Sequence, residues 1–422
     1  MNLFLYNLII WLLLPFVLLR LIFRGLIQLE YLNFWEERLG IYSSHQANAS
    51  CSRKQTLWIH CVSLGETNAT IPLIKMVIRK HPGINILLSH GTLTGRKVYI
   101  PTSKRIERCY LPFDLRGSVI RFLNHYQPTM GIILETEIWP NLINQCNLKT
   151  IPLFLVNARL SGKSLIRYMP YKEFISRSLN KINHIYVQSE SDRKNFKELT
   201  NQPISIMGNL KFDARPPGDI INKIKKLKAQ LRIDKQFVIL ISSSRIGEED
   251  IVLNFFKRIN LKSIVVIIVP RHPERFNVVA KLFESYKLPY IRKSDFKKLT
   301  SCPQYILGDS IGELYEYYGL ASLVIMGGSI KNTGSQNIIE PMLLNRPIAV
   351  GPSIFNFKDI IEESQKKNLV FRFSEIEELE NIIFQLTKNN KLQESIRKKT
   401  NFFLKENSGA SKKILKLINQ YF

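Results

Sequence analysis

Three features of the sequence predict an α/β chain of two Rossmann-like domains facing a cleft, preceded by a membrane helix. Short apolar runs alternate with helix-like stretches along most of the 422 residues. The alternation breaks once, at 214–235 (ARPPGDIINKIKKLKAQLRIDK), with a Pro-Pro-Gly turn and a very basic helix, and then restarts. The opening 1–19, MNLFLYNLIIWLLLPFVLL, carries no charged side chain. The chain is too long for one ordinary domain, and 45% hydrophobic with 22% charged residues argues against disorder.

The apolar start runs past Arg20 and Arg24 to Ile27, just long enough to cross a bilayer. It lacks the basic head and small-residue cleavage site of a secretory signal. Arginines on its C-terminal flank keep the rest of the chain on the cytoplasmic side. Trp11, Tyr31, Phe34 and Trp35 suit the headgroup region. Pro15 and the borderline length leave a second arrangement open, a monotopic helix lying on the membrane surface. Residues 31–56 turn amphipathic and then polar (SSHQANASCSRKQ) and lead into the first domain.

In the first domain, 28–213, strands are expected at 57–64, 84–90, 130–135, 152–157, 184–189 and 204–208. After the linker at 214–235 they are expected at 237–243, 263–269, 304–307, 323–326, 347–350 and 368–372. The second domain takes 236–422. Its last stretch, 374–422, reads as helical, with the option of packing back on the first domain.

The most informative stretch is LWIHCVSLGETNA, 57–69. A strand meets Gly65, and a helix pattern begins at Glu66. The glycine permits a sharp turn, and a strand's carboxyl end is where open α/β sheets bind ligands. The helix dipole there favours an ionised carboxylate, as a general base requires. The plainer reading, a first-turn carboxylate that only caps its helix, weighs equally. Glu135 and Glu137, in GIILETEIWPN, end another apolar strand and share one face if the strand stays extended. Lys211, in GNLKFD, offers a positive charge to a leaving phosphate.

The second half opens on ISSSRIGEED, where a strand runs into small hydroxyls, Gly247 and a helix amino terminus, an arrangement suited to an anion. VPRHPERF brings Arg271, His272 and Arg275, and arginine forks onto phosphate or carboxylate. GDSIGEL and the glycine-rich GGSIKNTGSQNIIEP follow. Backbone amides of the latter suit a phosphate, and Glu340 suits ribose hydroxyls.

A net charge of +26 points to nucleic acid, an anionic membrane or an acidic small substrate. No nucleic-acid-binding signature accompanies it, so nucleic acid is set aside. The five cysteines are scattered and odd in number, which reads as reduced thiols. The histidines show no metal-ligand spacing, so no structural zinc is expected, and the chain is expected to use no cofactor.

HCVSLGET, YLPFDL, ETEIWPN, NARLS, GNLKFD, PRHPERF, GELYEYYGLA and NIIEP occur in that order, with ERLG at 37–40. Together they resemble the Kdo transferases of lipopolysaccharide assembly, over nearly the whole chain. These enzymes move 3-deoxy-D-manno-octulosonic acid (Kdo) from CMP-Kdo to the lipid A precursor. The resemblance implies an inverting GT-B glycosyltransferase without a catalytic metal, held at the inner membrane. It makes Glu66 the proton acceptor and Glu135 and Lys211 transition-state stabilisers. It places CMP against Arg271, His272, Ile311, Gly312, Glu313, Asn337, Ile338, Ile339 and Glu340.

Two positions depart from the family pattern. Arg245 stands where the family has histidine, and Ser335-Gln336 where it has Gly-His. Arg245 keeps a donor and is a possible donor contact, whereas Gln336 keeps hydrogen bonding without titrating. These departures keep two alternatives in view: a membrane-bound GT-B transferase using another nucleotide sugar, or a non-catalytic relative.

Overall fold

The computed structural model describes residues 2–42, 55–98, 100, 105–233, 235–259, 263–299 and 301–422. The polar stretch 43–54, with Cys51, lies outside them. The chain folds as two compact units, one of residues 1–214 with 407–422 and the other of residues 215–406.

Each unit is built on a parallel seven-stranded sheet. In the first, β1 (Thr56–Cys61), β2 (Asn85–His90), β3 (Ile106–Tyr110), β4 (Met130–Leu134), β5 (Leu153–Ala158), β6 (His184–Val187) and β7 (Ile204–Ile206) take the order β3-β2-β1-β4-β5-β6-β7. In the second, β8 (Phe237–Ser244), β9 (Ile264–Pro270), β10 (Tyr290–Arg292), β11 (Tyr305–Leu307), β12 (Leu323–Met326), β13 (Ile348–Val350) and β14 (Val370–Arg372) take the order β10-β11-β9-β8-β12-β13-β14. All expected strands form, within three residues at either end. Central strands are buried on both faces, so they read as continuous apolar runs; β4 is MGIIL and buried throughout. The two strands the pattern misses, β3 and β10, are both sheet edges. Their sequences, IERCY and YIR, carry the charges that edges tolerate.

Two boundaries differ from expectation. Residues 215–235 carry the expected basic helix but belong to the second unit instead of standing apart as a linker. They hold the helix Ile220–Gln230, whose apolar stripe of Ile220, Ile224, Leu227 and Leu231 packs into the second unit. Ile224 lies so close to Gly319 that a β-carbon there would sit 2.1 Å from it. The chain's end belongs to the first unit. The helix Ala410–Ile418 buries Ala410, Ile414, Leu417 and Ile418 in the same core as Leu57, Ile59, Leu73 and Val77. Asp213 fixes its start, accepting the amides of Gly409 at 2.6 Å and Ser411 at 2.5 Å.

The helix Leu3–Ile27 is long and apolar enough to cross a membrane. Beyond it, ERLG clamps residues 35–40 to the first sheet. The buried Glu37 pairs with Arg96 and accepts the Tyr110 amide at 2.7 Å. Arg38 lies over the Tyr110 ring, 4.0 Å from its centre. Gly40 has φ +72°, and a β-carbon there would meet the Ser118 carbonyl at 2.4 Å, so no larger residue fits. Cys61, Cys109 and Cys146 are buried, and Cys302 is half-buried.

Candidate active site

In the first sheet the strand order reverses between β1 and β4, which are hydrogen-bonded neighbours. Glu66 follows β1 and Glu135 follows β4, so both arise at the topological switch point where such sheets bind ligands.

Glu66 is held by its own helix start. The strand ends at Cys61, Ser63 caps the helix Leu64–Lys80, and Glu66 is its third residue. The Glu66 amide donates to Ser63 Oγ at 3.4 Å, and the Ser63 hydroxyl donates to Glu66 Oε1 at 2.7 Å. Oε2 accepts the Val62 amide at 2.8 Å. This is a variant of the capping box, set by Ser63-x-x-Glu66, with the carboxylate reaching the amide one residue ahead of the cap. The helix therefore starts two residues earlier than its apolar pattern indicates. Gly65 lies inside the first turn with ordinary helical backbone, and a β-carbon there would meet only Ser63 Oγ, at 3.9 Å. The sharp turn expected of Gly65 is made instead by Val62 and Ser63.

The expected dipole-stabilised carboxylate is also corrected. Burial pushes the Glu66 carboxyl up to about 7, and the Glu135 charge adds to this. The bonds from Ser63 and Val62, and the Lys211 charge, only partly oppose it. Desolvation of a carboxylate at 8% exposure outweighs a helix dipole acting from its first turn.

Glu135 and Glu137 do not share an extended strand face. Glu135 has φ +57°, which ends the extension after β4, and its amide donates to the Val156 carbonyl at 3.0 Å. Its Oε1 lies 3.3 Å from Lys211 Nζ. Glu137 is likewise pushed up to about 7, first by burial and then by the Glu66 and Glu135 charges. The Trp139 indole nitrogen, buried beside it, opposes that shift. Three carboxylates and one ammonium group thus share the switch point.

Lys211 stands on the 3-10 turn Leu210–Asp213. A chain of amide side chains sets that turn. Asn157, at φ +56° on β5, accepts the Leu210 amide at 3.0 Å. Gln188 donates to the Asn157 carbonyl at 2.9 Å and accepts from Asn209 Nδ2 at 2.8 Å. Asn209 Oδ1 accepts the Lys211 amide at 2.9 Å.

The second sheet repeats the plan, with its reversal between β8 and β12. Here two expectations fail. The helix Glu248–Arg258 does not present an open anion site at its start, because Glu248 is fully buried there. Its carboxylate accepts the amides of Arg245 at 2.8 Å, Gly328 at 2.7 Å, Ile330 at 3.0 Å and Lys331 at 3.2 Å. Amides of the glycine-rich loop offered to a phosphate are therefore engaged by an internal carboxylate. The loop is shaped around Glu248, with Gly328 at φ +73°.

Of the remaining residues, Arg271 is exposed and Ile311 is 76% exposed, while Gly312 turns at φ +82°. Burial raises Glu313, but bonds from Lys293 and Ser310 outweigh it and leave the carboxyl below its ordinary value. The Lys293 ammonium lies 2.5 Å from it. Ile338 and Ile339 are fully buried, which leaves only their backbone to offer a ligand. Asn337 accepts the Ile339 amide at 3.1 Å and donates to Glu340 at 3.3 Å. Arg275 turns inward to Glu249 at 2.9 Å. Arg245 Nη1 donates to His272 Nε2 at 2.8 Å. Partial burial lowers the His272 pKa, and the Arg245 charge lowers it further, which keeps the ring neutral with Nε2 as acceptor. The described residues hold no group of three His, Cys, Asp or Glu side chains set for a metal ion.

The family profile of 3-deoxy-D-manno-octulosonic-acid transferase (kdotransferase) matches residues 33–214. A 3-deoxy-D-manno-octulosonic acid transferase of Haemophilus influenzae is 33% identical over 95% of this chain and 95% of its own. The chain belongs to the Kdo transferase family. A Kdo transferase of Rickettsia bellii is 30% identical over 99% of both chains. Among solved structures, a glycosyltransferase from Rickettsia africae shares the GT-B-like fold. It has a TM-score of 0.60 at 12% identity over 87% of this chain and 99% of that one.

For a Kdo transferase, sequence reasoning missed several supporting side chains. Ser63 was readable, since S-x-x-E before an apolar helix is a capping signature. Asn157, Gln188 and Asn209 carry no such signal, because their partners lie 21 to 53 residues away.

Proposed function

We propose that this glycosyltransferase moves Kdo from CMP-Kdo to the lipid A precursor (lipid IVA) with inversion at the anomeric carbon. The Glu66 carboxylate takes the proton of an acceptor hydroxyl as that oxygen attacks the anomeric carbon. The bond to the CMP phosphate breaks, and CMP leaves with its electron pair. A carboxyl near 7 is partly ionised at neutral pH and returns its proton readily, which suits a general base. Glu135, paired with Lys211, supplies fixed charge for the transition state. CMP is held on the second unit by Arg271 and His272, by 311–313 and by 337–340, with Arg245 beside them. The helix Leu3–Ile27 and the basic surface keep the enzyme on the cytoplasmic side of the inner membrane, near its acceptor.

The observation that carries this reading is the buried Glu66, raised to about 7 and grouped with Glu135 and Lys211 in a Kdo transferase chain. The test is incubation of the purified protein with CMP-Kdo and tetra-acylated lipid A precursor, followed by mass analysis. Addition of Kdo units is expected. Turnover only with a UDP-sugar, or no turnover with either donor, contradicts the proposal.

A further inference from the structure

The N-terminal helix is held to the first unit near its start and tied to it at its far end through the turn that follows. Near its start the Tyr6 hydroxyl donates to Asp114 Oδ2 at 2.8 Å, and Asn141 Nδ2 donates to Asn7 Oδ1 at 2.6 Å. The Tyr6 ring packs on Phe174, with centres 5.4 Å apart. Asp114 is itself buried and accepts the amides of Asn141 and Leu142, the first turn of the helix that follows the Glu135–Glu137 segment. At the far end Gly25 is buried against Leu32, where a β-carbon would sit 2.4 Å from the leucine side chain. From there the chain runs directly into the Glu37–Arg96 clamp, with Arg96 also over the Phe34 ring.

Between these ends one stripe stays covered. Leu3, Tyr6, Asn7, Ile10, Leu14, Leu18 and Leu21 are half-buried and recur at helical spacing, leading to the buried Gly25. The rest of the surface is bare and apolar, including Phe4 at 77%, Leu12 at 65%, Phe16 at 69%, Phe23 at 64% and Leu26 at 76% exposure. Arg20 and Arg24, one turn apart, project along a flank between the two faces.

Residues 6 and 25 are about 28 Å apart along the helix axis, nearly the ~30 Å of a bilayer's hydrocarbon layer. A helix that crossed would place them on opposite sides. A single folded unit cannot touch both there without sinking Asp114 and its neighbours through the hydrocarbon.

We propose that this helix does not cross the bilayer. It lies in the plane of one leaflet, with its covered stripe on the first unit and its bare face in the acyl chains. The occupant is lipid rather than a protein partner, because the apolar face runs the helix's whole length without a polar rim and ends on flanking arginines that meet anionic headgroups. A neighbouring segment of the same unit supports this. Ile166, Met169 and Tyr171 are exposed beside Arg167 and Lys172, just ahead of the Phe174 that receives Tyr6. The in-plane helix rests on the membrane location proposed above and adds its geometry.

Sidedness tests it. A full-length variant carries Asn2→Cys, with Cys51 and Cys302 changed to serine, and is expressed in cells with an inner membrane. Inverted and right-side-out vesicles are treated with a membrane-impermeant maleimide, and protease access to the folded units is scored in the same preparations. An in-plane helix makes residue 2 reactive from the face on which protease reaches the folded units. Reactivity only from the opposite face means a spanning helix and overturns the proposal. Recovery of the folded protein in the soluble fraction overturns the membrane location itself, a separate failure. Because Asn2 caps the helix through the Leu5 amide at 2.8 Å, a second variant with a cysteine ahead of Met1 guards against a fraying helix.

Discussion

Lys211 holds its ammonium 3.3 Å from Oε1 of Glu135, although 76 residues separate them in sequence. The pair joins the end of β4 to a 3-10 turn beyond β7, so its geometry depends on what fixes that turn. Asn157, Gln188 and Asn209 do so through hydrogen bonds of 2.8 to 3.0 Å. Replacing Gln188 with alanine therefore loosens Lys211 without touching substrate. The turnover number should fall by about 10- to 100-fold, the scale of a misplaced catalytic group, with the Michaelis constant for CMP-Kdo little changed. A change in that constant alone would place the network elsewhere in function.

Glu137 titrates beside Glu66, and this fixes the sign of a pH effect on stability. The folded protein holds the Glu137 proton up to about 7, against an ordinary 4.5. As pH rises between these values the unfolded chain releases that proton first, so the carboxyl's contribution to stability is lost across the window. Glutamine titrates at neither end. Glu137→Gln should therefore gain on the natural chain, on the order of 1 kcal/mol, between about pH 5 and about pH 8 in detergent. Its acidic limb of rate against pH should stay in place, because burial and the Glu135 charge, not Glu137, hold the Glu66 carboxyl up. Denaturant midpoints and rate profiles read the two outcomes separately.

Arg245 faces His272, and the guanidinium keeps the imidazole neutral with Nε2 as acceptor. Arg245→Ala removes a permanent cation beside a proposed CMP contact. It should raise the donor Michaelis constant more than Gln336→Ala does, and Gln336→His should partly rescue it. Equal, negligible effects in both alanine variants would mean that neither position serves the donor.

The last helix acts as part of the first unit's core. Ile414 is fully buried there, so Ile414→Ala should cost about 2–5 kcal/mol. The loss should appear in the unfolding of that unit. If CMP binding failed while the first unit kept its stability, the helix would belong with the second unit after all.

The sequence exposed the central strands because both their faces are buried; β4 is an unbroken apolar run, and β8 is one up to its closing serines. The edge strands β3 and β10 escaped notice because an edge has solvent on one side and tolerates Glu107, Arg108 and Arg292. Glu66, Glu135 and Lys211 stood out as polar side chains at strand ends, which is a local signal. The grip of Glu248 on amides 80 to 83 residues away leaves no local trace, and the sequence offers the seat of the helix Ala410–Ile418 only as an option. Both depend on which distant segments meet, and composition and spacing carry no record of that. The rise of Glu66 to about 7 was hidden for the same reason, since burial sets it.

The most direct test of the whole account is single-turnover transfer by Glu66→Gln, measured with CMP-Kdo and tetra-acylated lipid A precursor alongside CMP binding. Glutamine keeps the shape and can still accept a capping bond, but it cannot take a proton. The rate should fall by about 10²- to 10⁴-fold, the range for a lost general base, with CMP affinity unchanged. A transfer rate close to that of the natural chain would contradict the general-base role and leave Glu66 as a helix cap.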